Sequence, residues 1–410
     1  MIIKHIPGWI LPSLYLFLLP FGRLFILPLV LMSVTGVIYI YNHGLINIFR
    51  RHDCYRNLFI IFGLIWFPML FSLPDAFNFN HSFTTTLGIF PLFLVGIYMI
   101  SEIDKRKIQK TLFNVVCVII IFWCIDALLQ MVSGKNIFGN IRFSPTHLSG
   151  IFSPRATLGL VLAVLAPVIF ERLRILSSGI YSSLFACSLA TVYITIIVLS
   201  GSRTGLLILI TGLLGWLSYI SYINKYFTWP KTILIFVSML AIIGFLAYQQ
   251  PVRNYTPLHS LKSGDLKTID KFSSGRIALW ETAGRMYISH WFNGIGPRGY
   301  RHAYDDYRPI KGKYNWEYPN GSTHPHFALL EIATETGIIG IIGIIFAIYF
   351  MINSLSGLPK AEQINAFPWM LGALIAIVPN IGKAFYSSFW LSLIMWMIFI
   401  GLANTRTNSQ

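Results

Sequence analysis

Two histidines lie one residue apart at the edge of an apolar run: His324-Pro325-His326, followed by Phe327 and an almost unbroken apolar stretch to Met351. Imidazole is the side chain best suited to taking up a proton near neutral pH. Pro325 has no amide hydrogen and fits the first turn of a helix. The pattern therefore predicts a helix whose first turn carries His326, capped by Ser322, Thr323 or His324. A helix N-terminus is partly positive, so it attracts anions and disfavours protonated imidazole. His326 is expected to be neutral and able to accept a proton. The same residues also suit a merely polar boundary to an apolar helix, and spacing alone leaves both readings open.

Arginines supply the complementary chemistry. Arg203 sits in "LSGSRTG" between two long apolar runs, where a charge is costly and by default marks a site, although it also has the reach of an interfacial anchor. Arg276 opens "GRIALW", Arg298 and Arg301 lie in "GIGPRGYRHAY", and Arg155 follows "SGIFSP". Guanidinium grips phosphate oxygens in a two-pronged fork. Gly294, Gly296 and Gly299 with Pro297 mark tight turns, but without a preceding strand they are a weak nucleotide signal. There is no GxxxxGK[ST] loop and no HExxH. Asp305–Asp306 is the only acidic pair read on that side, with Arg301 and Arg308 near enough in sequence to neutralise it. Neither a metal nor a cofactor is expected.

The elements that must position these residues are membrane helices. Of 410 residues, 55% are hydrophobic and only 11% charged, with mean hydropathy +0.66. That charge is about half of what a soluble domain carries. Continuous apolar runs predict an all-α polytopic protein, residues 1–410 forming one membrane domain, rather than an alternating β-barrel. About twelve spans are expected, near 8–22, 24–41, 58–73, 85–101, 111–132, 156–170, 183–200, 204–222, 232–248, 326–352, 366–380 and 387–402. Cys54, Cys117, Cys124 and Cys187 have no metal-ligand spacing and read as packing.

The formal net charge of +16 would suggest nucleic acid in a soluble protein. Here much of it sorts to one side, so no nucleic-acid partner is expected. With a cytoplasmic N-terminus, the inward loops collect Arg50, Arg51, Arg56, Lys105, Arg106, Lys107, Lys110, Arg172, Arg174, Lys225, Lys231 and Lys360, as the positive-inside rule requires. The insert 249–325, between the ninth and tenth spans, then faces outward as a large loop with short helices. It carries eleven basic and six acidic residues. An outward excess of cations calls for an anionic partner, either phosphate at a specific site or lipid headgroups. Within it, Ile277, Leu279, Trp280 and Ala283 form an apolar face expected to lie on the bilayer.

In these segments the chain resembles the O-antigen ligase and polymerase superfamily of bacterial inner-membrane glycosyltransferases. The family's His-Pro-His-Asn, apolar helix and Glu-Thr-Gly correspond to His324-Pro325-His326-Phe327 and Glu335-Thr336-Gly337. Phe327 departs from the usual polar residue. The segments around Arg155, Arg203, Arg276 and Gly294 are similar to further family signatures. The resemblance implies a multi-pass inner-membrane enzyme with its active site facing the periplasm. Its donor would be a glycan on undecaprenyl diphosphate. Its acceptor would be a sugar hydroxyl, on lipid A–core for a ligase or on a lipid-linked repeat for a polymerase. His326 would be the general base, with Arg203 and Arg276 holding the diphosphate. Arg155, Arg298, Arg301 and His324 would line the substrate. Ligase is favoured over polymerase. A transporter of lipid-linked sugars is the reading from a different class, opposed by the lack of inverted repeats.

Overall fold

The computed structural model describes residues 7–103, 105–144, 147–223, 267, 270, 273, 275–314 and 321–406. The expected span at 232–248 lies outside them, as do Lys225, Lys231, Arg253, Lys262, Asp265, Lys271 and Glu317. The described residues are helical, with only two isolated bridges, Lys135 to Ile141 and Ser144 to His147.

The helices are α1 (Ile10–Leu18), α2 (Ile26–His43), α3 (Leu45–Arg51), α4 (Asp53–Phe71), α5 (Phe79–Ile89), α6 (Pro91–Glu102), α7 (Arg106–Ser133), α8 (Leu158–Leu176), α9 (Ile180–Leu199) and α10 (Arg203–Ile223). After the insert's first part come α11 (Arg276–Ser289), α12 (Tyr300–Tyr307), α13 (Ala328–Ser356), α14 (Lys360–Ile377) and α15 (Ser388–Asn404).

Among the described residues, seven helical segments are long and apolar enough to cross a membrane: α2, α4, α5 with α6, α7, α9, α10 and α13. Four other expected spans are helices of a different character. α1 has nine residues and α15 seventeen, while α8 and α14 carry charges near their ends, such as Glu171 and Lys360. The expected span at 85–101 is two helices in series, broken at Phe90 because Pro91 opens the second.

α15 organises the bundle. Every residue from Trp390 to Asn404 is buried, as expected of a helix that is apolar all round. It packs against α14, α6 and α4, while α13 lies along α4 and α2 along α6. Small residues allow the close crossings: a side chain at Gly343 would strike the Leu64 carbonyl, and one at Gly36 the Leu94 carbonyl. The four cysteines are free, and Cys187 is exposed rather than packed in the core.

Two of the four residues expected to face the bilayer from α11, Leu279 and Ala283, are turned into the protein instead. Leu279, Ala283 and Met286 form a second small core with Ile295, Tyr300, Ala303 and Tyr304. Tyr300 donates its hydroxyl to the Leu279 carbonyl at 3.0 Å, giving that core a polar anchor. The insert is thereby seated on the start of α13.

Candidate active site

α13 is broken at Gly337, whose φ of +63° lies in the left-handed region. Glycine is needed twice over, because a side chain there would also strike the Phe292 carbonyl. A break frees backbone groups that must be satisfied. The segment 291–296 answers them. Ile338 N–H donates to the Trp291 carbonyl (2.8 Å), Ile295 N–H to that of Thr334 (3.1 Å) and Gly296 N–H to that of Glu335 (3.0 Å). This explains physically why a glycine-rich turn and Glu-Thr-Gly occur together in one chain.

The turn ends at Arg298, a non-glycine residue with positive φ, +62°. It is held by Glu335, which is fully buried. One carboxylate oxygen accepts the Arg298 N–H at 2.6 Å and the other the Tyr300 N–H at 3.4 Å. Glu331, one turn earlier and also fully buried, accepts the N–H groups of Phe385 (3.0 Å) and Tyr386 (3.4 Å). These two carboxylates are an acidic pair that the sequence reading overlooked. Both are occupied by backbone amides. Among the described residues no group of three or more His, Cys, Asp or Glu is placed to hold a metal.

The helix does not begin where Pro325 suggests. Its first residue is Ala328, and Phe327 occupies the cap position in extended conformation with no side-chain cap. His326 has φ +55°, which no helical turn accepts. Ser322, Thr323 and His324 are not caps. Ala328 N–H is instead taken by the carbonyl of Asn380, 2.9 Å away in the connection between α14 and α15.

The two imidazoles lie against each other with centroids 4.0 Å apart and planes tilted by 42°. Both are half-buried and both feel the Gly382 carbonyl. Burial pushes the His326 pKa down to about 4, with Arg276 the next cause. Burial, His326 and Arg298 lower His324 to about 3. Desolvation and a neighbouring arginine, and no helix N-terminus, are what favour the neutral form of His326.

Arg276 opens α11, where Ser273 Oγ accepts the N–H groups of Arg276 (3.1 Å) and Ile277 (3.3 Å). Arg203 is the exposed first residue of α10. Its neighbour Thr204 donates to the Ile381 carbonyl at 3.0 Å, bringing α10 to the same connection that backs the histidines. Arg155 lies within electrostatic reach of Lys383 in that connection. Arg301 points elsewhere, toward Arg298, the buried glutamates and the pair His81–His302, whose ring nitrogens are 2.8 Å apart. Three buried polar atoms of the site have no hydrogen-bond partner among the described residues: Arg298 Nη1, Arg301 Nε and His324 Nε2. Unsatisfied buried polar atoms are costly, and a bound polar group would relieve them.

A groove of about 460 Å³ leads away from Arg298 between α2, α5–α6 and the start of α15. Arg23, His81 and Arg298 line its site end, and Leu29, Leu92 and Val95 its walls further along the helices. Its shape suits a ligand with an anionic head and an apolar tail.

The site is thus that of a polytopic helical membrane protein in which neutral histidines face fixed arginines. Residues 186–345 match the family model described as O-antigen ligase, which supports membership of that superfamily for this part of the chain. The matched segment contains Arg203, Arg276, Arg298, Arg301, His324, His326 and the Glu335–Gly337 kink, but neither Arg155 nor Lys383. No curated protein matches the chain.

Sequence reasoning missed Glu331, Asn380 and Lys383. Asn380 and Lys383 had a signal: "PNIGK" is a polar turn between two apolar helices on the site side.

Proposed function

We propose that the chain is an O-antigen ligase, which transfers a glycan from undecaprenyl diphosphate to a sugar hydroxyl of lipid A–core on the periplasmic face of the inner membrane. The observation that carries this reading is a neutral, half-buried His326 next to Arg276, in a site where Arg298 and Arg301 keep unused donors. The groove from Arg298 along α2 and α6 supports a lipid-linked donor, with the diphosphate at the arginines and the polyprenyl tail among the leucines and valines.

In this reading His326 takes the proton of the acceptor hydroxyl as its oxygen attacks the anomeric carbon. The bond from that carbon to the phosphate oxygen breaks, and its electron pair leaves with undecaprenyl diphosphate. Arg276 and Arg203 stabilise the charge that develops there. An imidazole with a pKa near 4 is a weak base in the empty site. Diphosphate bound at Arg276 offsets the guanidinium charge and raises the proton affinity of His326. Donor binding thereby activates the base, and without donor the imidazole stays inert.

The test is the lipopolysaccharide profile of a strain lacking the gene. A ligase loss leaves bare core, with polymer accumulated on the lipid carrier. Core bearing a single repeat would make the protein a polymerase, and an unchanged profile would refute both.

A further inference from the structure

Lys383 has no task in the reaction just described. It lies in the connection between α14 and α15, beyond the segment that matches the family. That connection is rigid. Asn380, fully buried, accepts the N–H groups of Gly382 (3.1 Å) and Lys383 (3.0 Å) with its side-chain oxygen and donates to the Lys383 carbonyl at 2.9 Å. The Asn380 carbonyl also holds Ala328, two residues after His326. The backbone of Lys383 is therefore fixed relative to the histidines.

The side chain is half-buried, and its Nζ lies 3.3 Å from Thr157 Oγ1, itself 2% exposed. The charged and titratable groups within its electrostatic reach are Arg155, His324 and His326. Among the described residues no carboxylate is within ion-pair distance of it. The nearby Glu331 is turned to Phe385 and Tyr386. A lysine that only supports structure either pairs with an acid or extends its ammonium to water. Lys383 pairs with no acid among the described residues and rests its ammonium on the Thr157 hydroxyl, while burial together with Arg155 makes its proton easier to lose. A ligand anion placed here relieves both penalties.

We propose that Lys383, with Arg155 and the Thr157 hydroxyl, forms an anion seat that receives one phosphate of the diphosphate donor. The inference rests on the ligase reading for the identity of the donor, but the seat itself is defined by these three residues. Ammonium suits the task because it is a compact point charge with three donors, adaptable to a phosphate that changes charge as the glycan leaves.

The experiment uses the full-length protein in nanodiscs and two readouts: glycan transfer from purified donor, and the thermal shift produced by inorganic pyrophosphate. Lys383→Met is expected to raise the donor KM and weaken pyrophosphate about 10-fold or more, the usual effect of losing a charged hydrogen bond. Lys383→Arg should restore most of both, and Arg155→Gln should weaken pyrophosphate in the same way. The KM for the acceptor should be unchanged. Wild-type pyrophosphate affinity in Lys383→Met overturns the seat. If that variant does not fold, equal affinity in Arg155→Gln and wild type overturns it instead. Absence of transfer by the wild type would defeat the ligase reading, while the pyrophosphate comparison would still decide the seat.

Discussion

Glu335 holds Arg298 by its backbone: the carboxylate accepts the Arg298 N–H at 2.6 Å, leaving the guanidinium to face the site. The acid therefore positions the arginine without neutralising it through a side-chain ion pair. It also stabilises a left-handed residue that costs roughly 1–2 kcal/mol in a non-glycine. Glu335→Gln replaces one acceptor oxygen with a donor. The variant should lose about 1–3 kcal/mol of stability and show a raised donor KM. Thermal melting and steady-state kinetics check both, and wild-type values in each would refute the positioning role.

His326→Ala should lower transfer by about 10²–10⁴-fold, the span expected for losing a general base, with donor binding largely kept. His324→Ala should be milder, since His324 faces Arg298 and not Arg276. Single-turnover rates on purified protein distinguish the two. Near-normal turnover by His326→Ala would remove it from the chemistry.

The pH profile follows from the direction of the His326 shift. A base whose pKa is lowered stays unprotonated to lower pH, so its function is present above about pH 4 and lost as pH falls through that value. The acid limb of kcat/KM, which reports the free enzyme, should therefore lie well below the ordinary imidazole value of 6.5. Arg276→Met should move that limb upward, though not fully to 6.5, because burial is the larger cause. An acid limb at 6.5 in the wild type would contradict the buried, arginine-facing base.

Arginines, with no divalent metal, are expected to manage the phosphate charge. Glu331 and Glu335 do not change this expectation, because their oxygens are engaged by backbone amides. Activity should survive excess EDTA with purified donor and acceptor. Arg203→Lys and Arg276→Lys should each lose rate on the order of 10²-fold despite keeping their charge, since the two-pronged grip is gone. Strict dependence on added Mg²⁺ or Mn²⁺ would refute the metal-free reading.

Gly337→Ala should be among the most damaging single-methyl changes in the chain. It adds left-handed strain and a collision with the Phe292 carbonyl, together about 2 kcal/mol or more. Expression and thermal stability in detergent measure it. A neutral result would mean that the break in α13 is not held by the turn.

Much of this was legible in the sequence, for identifiable reasons. Long continuous apolar runs announce helices because in a membrane the backbone must be satisfied internally, and a barrel would need alternating residues. The His324–His326 motif, Arg276 and Arg298 stood out because polar residues are scarce here. The start of α13 was misread because Pro325 is only permissive for a first turn. What starts the helix is the Asn380 carbonyl, 52 residues further along the chain. Lys383 stayed hidden for the same reason: its neighbours Thr157 and Arg155 are more than two hundred residues away in sequence. The apolar face of α11 was visible, but its partner was not. Periodicity reports that a face will be covered without saying by what.

The backbone bonds between segment 291–296 and the broken part of α13 bear on how such chains diverge and recombine. Those bonds involve main-chain groups, so apart from the glycines that let the two backbones meet, Gly294 and Gly337, they place little demand on side-chain identity. They do not tolerate a change in length or phase on one side alone. Segments 291–296 and 334–338 are accordingly coupled through the backbone. A hybrid that exchanges both between relatives should keep its fold, whereas a crossover at Pro325, between the turn and the helix it clasps, should not.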